Sequence, residues 1–188
     1  TPMDHPIMED LATGVAMAGV RVVRFEFPYM ARRRTSARRG PPDRQEILLE
    51  TWHSVIATLG DATTLVIGGR SMGGRLASLI ADEVGASGLV CLGYPFHPIG
   101  KPESIRVAHL AQIRTPTLIV QGDRDAMGAM SEVATYALPD IIQLSWLADG
   151  NHSFAPRKRS GHTHAQHLTT AAARTASFIW SLNPTNEA

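Results

Sequence analysis

A serine, two aspartates and a histidine in this chain have the types and the order that acyl transfer requires. Ser71 is the centre of residues 69–73 (Gly-Arg-Ser-Met-Gly), which fit the G-x-S-x-G pattern of a nucleophile elbow. Asp123 and Asp125 follow it, and His152 comes last. A histidine can take the proton of a serine hydroxyl, and a carboxylate can orient that histidine. These residues therefore predict nucleophilic catalysis at Ser71.

The residues around Ser71 bear on whether the motif is an elbow or a glycine-rich turn with a solvated serine. Thr64 to Ile67 is typical of a buried strand, and the spacing after Ser71 predicts a helix from Met72 to Val84. The serine would then sit on a strained turn, where glycines two residues before and two after it let strand and helix approach. The helix would aim its first N–H groups at the oxygen that becomes negative during acyl transfer. This context favours the catalytic interpretation.

Strand-like and helix-like segments alternate along the rest of the chain. Predicted strands cover residues 20–27, 64–67, 88–93, 115–120 and 141–147, and predicted helices cover 7–18, 43–59, 72–84, 103–111 and 163–182, with a shorter one ending at Ala137. Such alternation needs crossover connections, which bring the carboxyl ends of parallel strands to one edge. We therefore predict an α/β fold, a three-layer α/β/α sandwich with a mainly parallel sheet. Ser71, Asp125 and His152 each follow a strand and would face one crevice.

The composition indicates an ordinary globular protein. The 188 residues are 44% hydrophobic and carry a formal net charge of +1. We therefore expect one domain over residues 1–188 and no general attraction to nucleic acid or to an anionic membrane. The single cysteine, Cys91, excludes an internal disulfide and lies in an apolar run typical of a core. With no apolar stretch of transmembrane length and no recognisable signal peptide, we expect a cytoplasmic protein.

These segments together resemble the α/β-hydrolase superfamily over nearly the whole chain. The elbow matches, residues 118–125 look like the segment that bears the acid, and residues 150–152 (Gly-Asn-His) look like the histidine loop. The chain is similar in particular to small, lidless members related to dienelactone hydrolase. The segments that resemble the KANSL-type and testis-expressed hydrolase-like branch are residues 3–6, 24–30 and 156–158.

The resemblance implies a role for each matching residue. Ser71 would be the nucleophile and His152 the general base. Asp125 rather than Asp123 would be the acid, because the family's acid lies three residues after the glycine that ends the strand, here Gly122. One donor of the oxyanion hole would be the backbone N–H of Met72. The residues that we expect to contact substrate are Tyr29, Arg70 and Tyr94.

The start of the chain departs from the family pattern. The family takes its second oxyanion donor from a histidine- and glycine-rich turn after an earlier strand. The chain begins at Thr1, where that turn should have finished, so we expect N-terminal strands to be missing or truncated. Asp4 and His5 are either further site residues or a helix cap and a loop histidine.

Two arginine-rich stretches, residues 32–39 and 157–159, follow predicted strands and would border the same crevice. They indicate either a mouth that attracts an anionic substrate or a solvated surface. His162, His164 and His167 are close enough to suggest a metal, but no carboxylate or cysteine cluster accompanies them. We interpret them as surface residues and expect no metal. We also expect no other cofactor, since no G-x-G-x-x-G segment opens a helix after a strand.

The sequence thus predicts a serine hydrolase that cleaves an ester, thioester or related acyl bond of a small molecule through an acyl-enzyme at Ser71. The alternative from another class is an interaction module that keeps the hydrolase fold with weak or no catalysis. A peptidase would use the same three side chains, and the fold does not decide between these substrates.

Overall fold

A parallel sheet of four strands, in the order β1-β2-β3-β4, forms the centre of the computed structural model, which describes residues 2–35 and 40–182. The strands are β1 (Val66–Arg70), β2 (Gly88–Leu92), β3 (Thr117–Gly122) and β4 (Ile142–Leu147). The α-helices are α1 (Pro6–Met17), α2 (Pro28–Thr35), α3 (Gln45–Leu59), α4 (Met72–Val84), α5 (Met130–Val133) and α6 (His164–Leu182). Because each strand is parallel to its neighbour, all four carboxyl ends lie on one edge of the sheet.

Alternate side chains of the strands enter two separate cores. One face packs against α3 and α4 through a cluster that includes Ile67, Leu89, Cys91, Ile119, Trp52, Ile56, Leu76 and Ile80. The other face packs against α1 and α6 through a cluster that includes Val90, Leu118, Val120, Leu147, Leu11, Leu168 and Phe178. Each large apolar side chain that is fully buried stabilises the fold by about 1.5–3 kcal/mol before entropy is counted. The predicted α/β/α layering is thus confirmed.

The first predicted strand, residues 20–27, is not a strand. The described residues provide no ladder partner for it. Phe25 still packs against Trp52, with ring centroids 4.7 Å apart, and Phe27 is buried, whereas Val22 and Val23 are largely exposed. The side chains of Phe25 and Phe27 therefore fix the C-terminal end of this segment in the core. A strand also needs a neighbouring strand to pair with its backbone N–H and C=O groups, and an alternating sequence pattern does not provide one.

A helix occupies much of the stretch between the predicted strand 20–27 and the predicted helix 43–59. Helix α2 begins at Pro28, directly after the predicted strand, because the fixed φ of proline suits a first helical turn. Asp43, the first residue of the predicted helix 43–59, instead accepts the Tyr29 N–H at 2.9 Å and pairs with Arg32. Helix α3 therefore begins two residues later, with Arg44 as its N-cap. Residues 36–39 of the first arginine-rich stretch lie outside the described residues.

Two predicted helices are much shorter than expected. The stretch 103–111 contains only the start of one 3-10 turn, Leu110–Gln112, because the Arg106 N–H bonds the Phe96 carbonyl at 2.7 Å and not a preceding turn of helix. The helix predicted to end at Ala137 is reduced to α5. The elbow strand, by contrast, extends three residues beyond its predicted end, up to the residue before Ser71.

Candidate active site

Ser71 lies on the sharp turn between β1 and α4. Its φ of 54° and ψ of −120° fall outside the regions that a side chain normally allows. Two backbone hydrogen bonds hold it there: the Ser71 N–H donates to the Leu92 carbonyl at 3.0 Å, and the Arg75 N–H donates to the Ser71 carbonyl at 3.0 Å. Strain maintained by surrounding structure is a property of functional turns. The geometry is that of a nucleophile elbow.

The close approach of β1 and α4 depends on a different pair of glycines from the one predicted. A Cβ on Gly74 would lie 2.5 Å from the Gly69 carbonyl oxygen, and a Cβ on Gly69 would lie 3.0 Å from the Gly73 carbonyl carbon. A Cβ on Gly73 would meet nothing within 4 Å. The prediction is therefore wrong for Gly73, since the steric requirement falls on Gly69 and Gly74.

The structure brings Ser71, His152 and Asp125 into one line of hydrogen bonds. The His152 Nε2 lies 2.8 Å from the Ser71 Oγ, and the His152 Nδ1 lies 2.7 Å from the Asp125 Oδ2. Each residue follows the carboxyl end of a different strand, β1, β3 or β4. The Asp125 side chain is completely buried, whereas 22% of the His152 side chain is exposed. The hydrogen-bonded line thus joins the buried carboxylate of Asp125, through the partly exposed His152, to the hydroxyl of Ser71.

Gln121, which the sequence interpretation missed, fixes the Asp125 carboxylate. Its Nε2 donates to the Asp125 Oδ2 at 2.8 Å, while the Met127 N–H donates to Oδ1 at 2.9 Å. Gln121 is fully buried, and it also binds both the N–H and the carbonyl of Tyr94. The sequence signal that could have revealed this role is the amide of Gln121 at the end of an otherwise apolar strand. A buried polar side chain needs hydrogen-bond partners, so it indicates a polar neighbour.

Asp123, the competing acid, faces elsewhere. The Asp123 Oδ1 is buried and has no hydrogen-bond partner in the described part of the chain. Its backbone N–H donates to the Leu147 carbonyl at 3.2 Å and its carbonyl accepts from Met130 at 3.1 Å. The structure thus places Asp125, and not Asp123, against His152.

The Arg70 side chain joins the elbow to the loop that carries His152. Its Nη2 donates to the His152 carbonyl at 3.1 Å and to the Ser153 Oγ at 2.8 Å. Burial lowers the pKa of this guanidinium, and the Asp125 carboxylate acts in the opposite direction. The contacts of Arg70 place it as a support of the histidine loop.

Two of the three histidines interpreted as surface residues support the same loop. The His164 Nε2–H donates to the Ser153 carbonyl, and the His167 Nδ1–H donates to the Phe154 carbonyl, each at 2.8 Å. His167 is buried, so the surface interpretation is wrong for it, whereas His164 is partly exposed. Phe154 needs such support because it is a non-glycine residue with φ of 65°.

Tyr29 and Tyr94, which were predicted to contact substrate, have buried rings. Tyr94 is 0% exposed, and its hydroxyl donates to the Arg106 carbonyl at 3.0 Å. Tyr29 is 5% exposed, stacks with Phe27 and lies under the Arg33 guanidinium. Both predictions are corrected, because neither ring lines an open crevice.

Asp4 and His5 adopt the roles of a surface partner and a helix cap. The His5 Nδ1 accepts the Ile7 N–H at 3.3 Å as the N-cap of α1. Asp4 pairs with Arg34 at 2.6 Å. Neither side chain is directed at Ser71 by these contacts.

Most of the described arginines in the two basic stretches have partners within the chain. Arg34 binds Glu26 at 2.6 Å, Arg32 pairs with Asp43, and Arg33 donates to the Gly40 carbonyl. Arg157 pairs with Asp149 and holds the pKa of that carboxyl well below its usual range. The ion pairs reduce the field available to an anionic substrate, so these stretches give the anion hypothesis little support.

Cys91 should be inert in the native protein. It is fully buried on β2, its Sγ lies 3.5 Å from the Gly74 carbonyl oxygen, and burial raises the pKa of the thiol. We expect a maleimide reagent at mildly alkaline pH to leave the folded protein unmodified and to add one equivalent after denaturation, as measured by intact mass. Rapid modification of the folded protein would contradict this placement.

Residues 2–35 and 40–182 contain no group of three or more His, Cys, Asp or Glu side chains placed to hold a metal. No helix among them is long and apolar enough to cross a bilayer.

Comparisons with known proteins agree with this architecture. The chain is 29% identical over 151 residues to a Rattus norvegicus protein named "Putative protein-lysine deacylase ABHD14B", a match that covers 79% of this chain and 69% of that protein. It is similar in structure to an alpha-beta serine hydrolase homologue from Coxiella burnetii (TM-score 0.67, 19% identity, 93% of this chain and 77% of that one). It is also similar to an a/b serine hydrolase without lid from Xanthomonas campestris (TM-score 0.61, 18% identity, 96% and 73%).

The family assignment rests on nearly the full length of the chain. A family model described as "Alpha/beta hydrolase domain" matches residues 1–180. The match includes β1 to β4, the elbow and the loops that carry Asp125 and His152. The chain therefore belongs to the alpha/beta hydrolase family.

Proposed function

We propose that this protein is a serine hydrolase that cleaves an ester, thioester or related acyl bond of a small molecule. The observation that carries the proposal is the hydrogen-bonded line from Asp125 through His152 to Ser71, with Ser71 on a strained turn. An isolated serine hydroxyl is a weak nucleophile, and a base within hydrogen-bond distance activates it. Within the family, we assign the chain to the small, lidless members related to dienelactone hydrolase.

In the first step the Ser71 Oγ bonds to the acyl carbon while the His152 Nε2 takes its proton. Asp125 accepts from the Nδ1–H, which fixes the tautomer and stabilises the imidazolium. The Met72 N–H, the first of α4, is directed at the oxygen that becomes negative, since the first N–H groups of a helix lack partners within it. His152 then protonates the leaving group as the bond between that group and the acyl carbon breaks. In the second half His152 deprotonates a water, whose oxygen bonds to the acyl carbon. The bond from the acyl carbon to the Ser71 Oγ then breaks, the acid is released and His152 returns the proton to Oγ.

Arg70, which was predicted to contact substrate, has a positioning role in this proposal. It fixes the carbonyl of His152 and the hydroxyl of Ser153, so the imidazole enters the site at a defined angle. Hydrogen bonds that involve a charged group contribute about 1.5–3 kcal/mol, enough to hold a loop of this size.

The class of acyl bond is open to direct assay. The name of the rat relative adds the Nε-acyl amide of lysine to the esters and thioesters that deserve testing. Peptide bonds are a further class for the same side chains. If the protein cleaves none of these classes of acyl bond, it is instead an interaction module without catalysis.

The test is labelling with a fluorophosphonate probe, which reacts with activated serines. We expect the wild-type chain to be labelled at Ser71 and Ser71→Ala to lose the label. The matched control is Ser54→Ala, because Ser54 is an exposed serine on α3 whose hydroxyl donates to the Glu50 carbonyl within the same helix. Absence of labelling in the folded wild-type protein would overturn the proposal and favour the interaction module.

A further inference from the structure

A compact polar cluster surrounds the buried Tyr94 hydroxyl beside α4. The Tyr94 hydroxyl lies 3.3 Å from the His109 Nε2 and donates to the Arg106 carbonyl at 3.0 Å. The His109 Nε2 also lies 2.9 Å from the Ser78 Oγ, which donates to the Arg75 carbonyl at 2.7 Å. The cluster therefore links one turn of α4 to the loop after β2, through the His109 side chain and the backbone carbonyls of Arg75 and Arg106.

The two arginines of this cluster lack the carboxylate partner that Arg32, Arg34 and Arg157 have. Both are partly buried, yet neither has a carboxylate within 4 Å in residues 2–35 and 40–182. The Arg75 Nε is buried and lacks a hydrogen-bond partner there. Burial and then the Arg75 charge lower the pKa of Arg106 and of His109, while the Tyr94 hydroxyl raises that of Arg106. A partly buried cation without a partner costs free energy that an anion would offset.

The cluster lies next to the proposed catalytic residues. Arg75 is four residues after Ser71 on α4, and its N–H bonds the Ser71 carbonyl at 3.0 Å. Helical side chains lean towards the N-terminus of their helix, which for α4 is the end that directly follows Ser71. On the other side, Tyr94 binds Gln121, which holds Asp125. A group bound by the arginines would therefore lie on the Ser71 side of the sheet edge.

We propose that Arg75 and Arg106 bind an anionic oxygen group, a carboxylate or a phosphate, on the substrate whose acyl bond Ser71 cleaves. The inference rests on the proposed function and names its substrate class. Guanidinium groups offer several N–H donors in a planar array that matches carboxylate and phosphate oxygens. The site differs from the two arginine-rich stretches, whose described members are largely paired.

Kinetic selectivity is the first test. The substrates are the 4-nitrophenyl monoester of glutarate and 4-nitrophenyl valerate, which have equal acyl length and differ by a terminal carboxylate. We expect Arg75→Gln and Arg106→Gln each to lower the ratio of kcat/KM for the glutarate ester to that for the valerate ester by at least about tenfold. Arg114→Gln is the control, because its side chain is 84% exposed and precedes β3, at the opposite edge. An unchanged ratio in both test variants would overturn the anion site.

A binding measurement separates failure of this inference from failure of the proposed function. Ser71→Ala protein is titrated calorimetrically with monomethyl glutarate and with methyl phosphate, and the tighter ligand identifies the anionic group. We expect adding Arg75→Gln or Arg106→Gln to weaken its binding at least about tenfold, and adding Arg114→Gln to have no effect. If wild-type protein hydrolyses the valerate ester but Ser71→Ala binds neither ligand, the anion site is rejected and the hydrolase stands. If nothing is hydrolysed or labelled but binding depends on both arginines, the proposed function is rejected and the anion site stands.

Discussion

Replacing Asp125 with asparagine is expected to lower kcat/KM for an activated ester about ten-thousandfold, the magnitude known for the equivalent change in serine proteases. The carboxylate accepts the Nδ1–H of His152 at 2.7 Å, and its two oxygens also accept from Gln121 and the Met127 N–H. An amide in the same place has only one acceptor oxygen for these three donors. It would turn its NH₂ towards His152 and hold the imidazole in the tautomer that cannot take the serine proton.

Asp123→Asn is the matched control for that experiment. Both changes convert a carboxylate to an amide of the same shape two residues apart, but Asp123 has no contact with His152 in the described structure. We expect Asp123→Asn to retain kcat/KM within about threefold, as substitutions away from catalytic contacts usually do. Circular dichroism establishes that both variants are folded. A large loss in Asp123→Asn with retention in Asp125→Asn would assign the acid to Asp123 and contradict the proposed mechanism.

Gly74→Ala is expected to reduce the free energy of unfolding by about 2–3 kcal/mol, within the range for overpacked sites. The new methyl group would lie 2.5 Å from the Gly69 carbonyl oxygen and 3.3 Å from Cys91, so α4 must move away from β1. Neither neighbour is the far end of a flexible side chain, and the strain is therefore not easily relieved. Equilibrium urea denaturation with a constant m-value measures the change.

Gly73→Ala, one residue earlier, provides the comparison. Its methyl group would meet nothing within 4 Å, and alanine is favoured over glycine in a helix by up to about 1 kcal/mol. We expect unchanged or slightly increased stability. Equal destabilisation by the two substitutions would show that the motif glycine, and not Gly74, maintains the approach of helix and strand.

The parts of the fold that were predicted correctly depend on local signals. Strands β2 and β3 are largely apolar runs bounded by turn residues, β4 alternates apolar and polar residues, and α4 has a nucleophile turn before it and Gly85 after it. The stretch 20–27 has an equally good local pattern, yet it is not a strand, because pairing depends on a neighbouring strand and not on the local sequence alone. Helix α2 was not predicted for a related reason. Proline is found both after the ends of strands and in the first turn of helices, so Pro28 alone does not distinguish the two.

The candidate site was predictable where chain order and strand ends specify it, as for Ser71, Asp125 and His152. Its supports were not, because they depend on tertiary contacts. Gln121 looks like an ordinary strand residue until its four hydrogen bonds to Tyr94, Asp125 and Gly128 are known. Tyr94 looks like a substrate contact until its ring is found in the core. Whether a side chain at a strand end is exposed or buried depends on tertiary packing, and the local sequence pattern does not predict that packing.

The bond from Arg70 to the His152 carbonyl has a mechanical consequence. Ser71 follows β1 and His152 follows β4, so three inter-strand spacings, about 14 Å in total, separate the two strands. Small changes in twist and strand spacing add up over such a distance. The hydrogen bond between the His152 Nε2 and the Ser71 Oγ, in contrast, tolerates changes of only a few tenths of an ångström. Arg70 adjoins Ser71 covalently and holds the histidine loop directly, which makes a second path much shorter than the one through the sheet. The alignment of base and nucleophile is thereby insulated from elastic motion of the sheet that carries them.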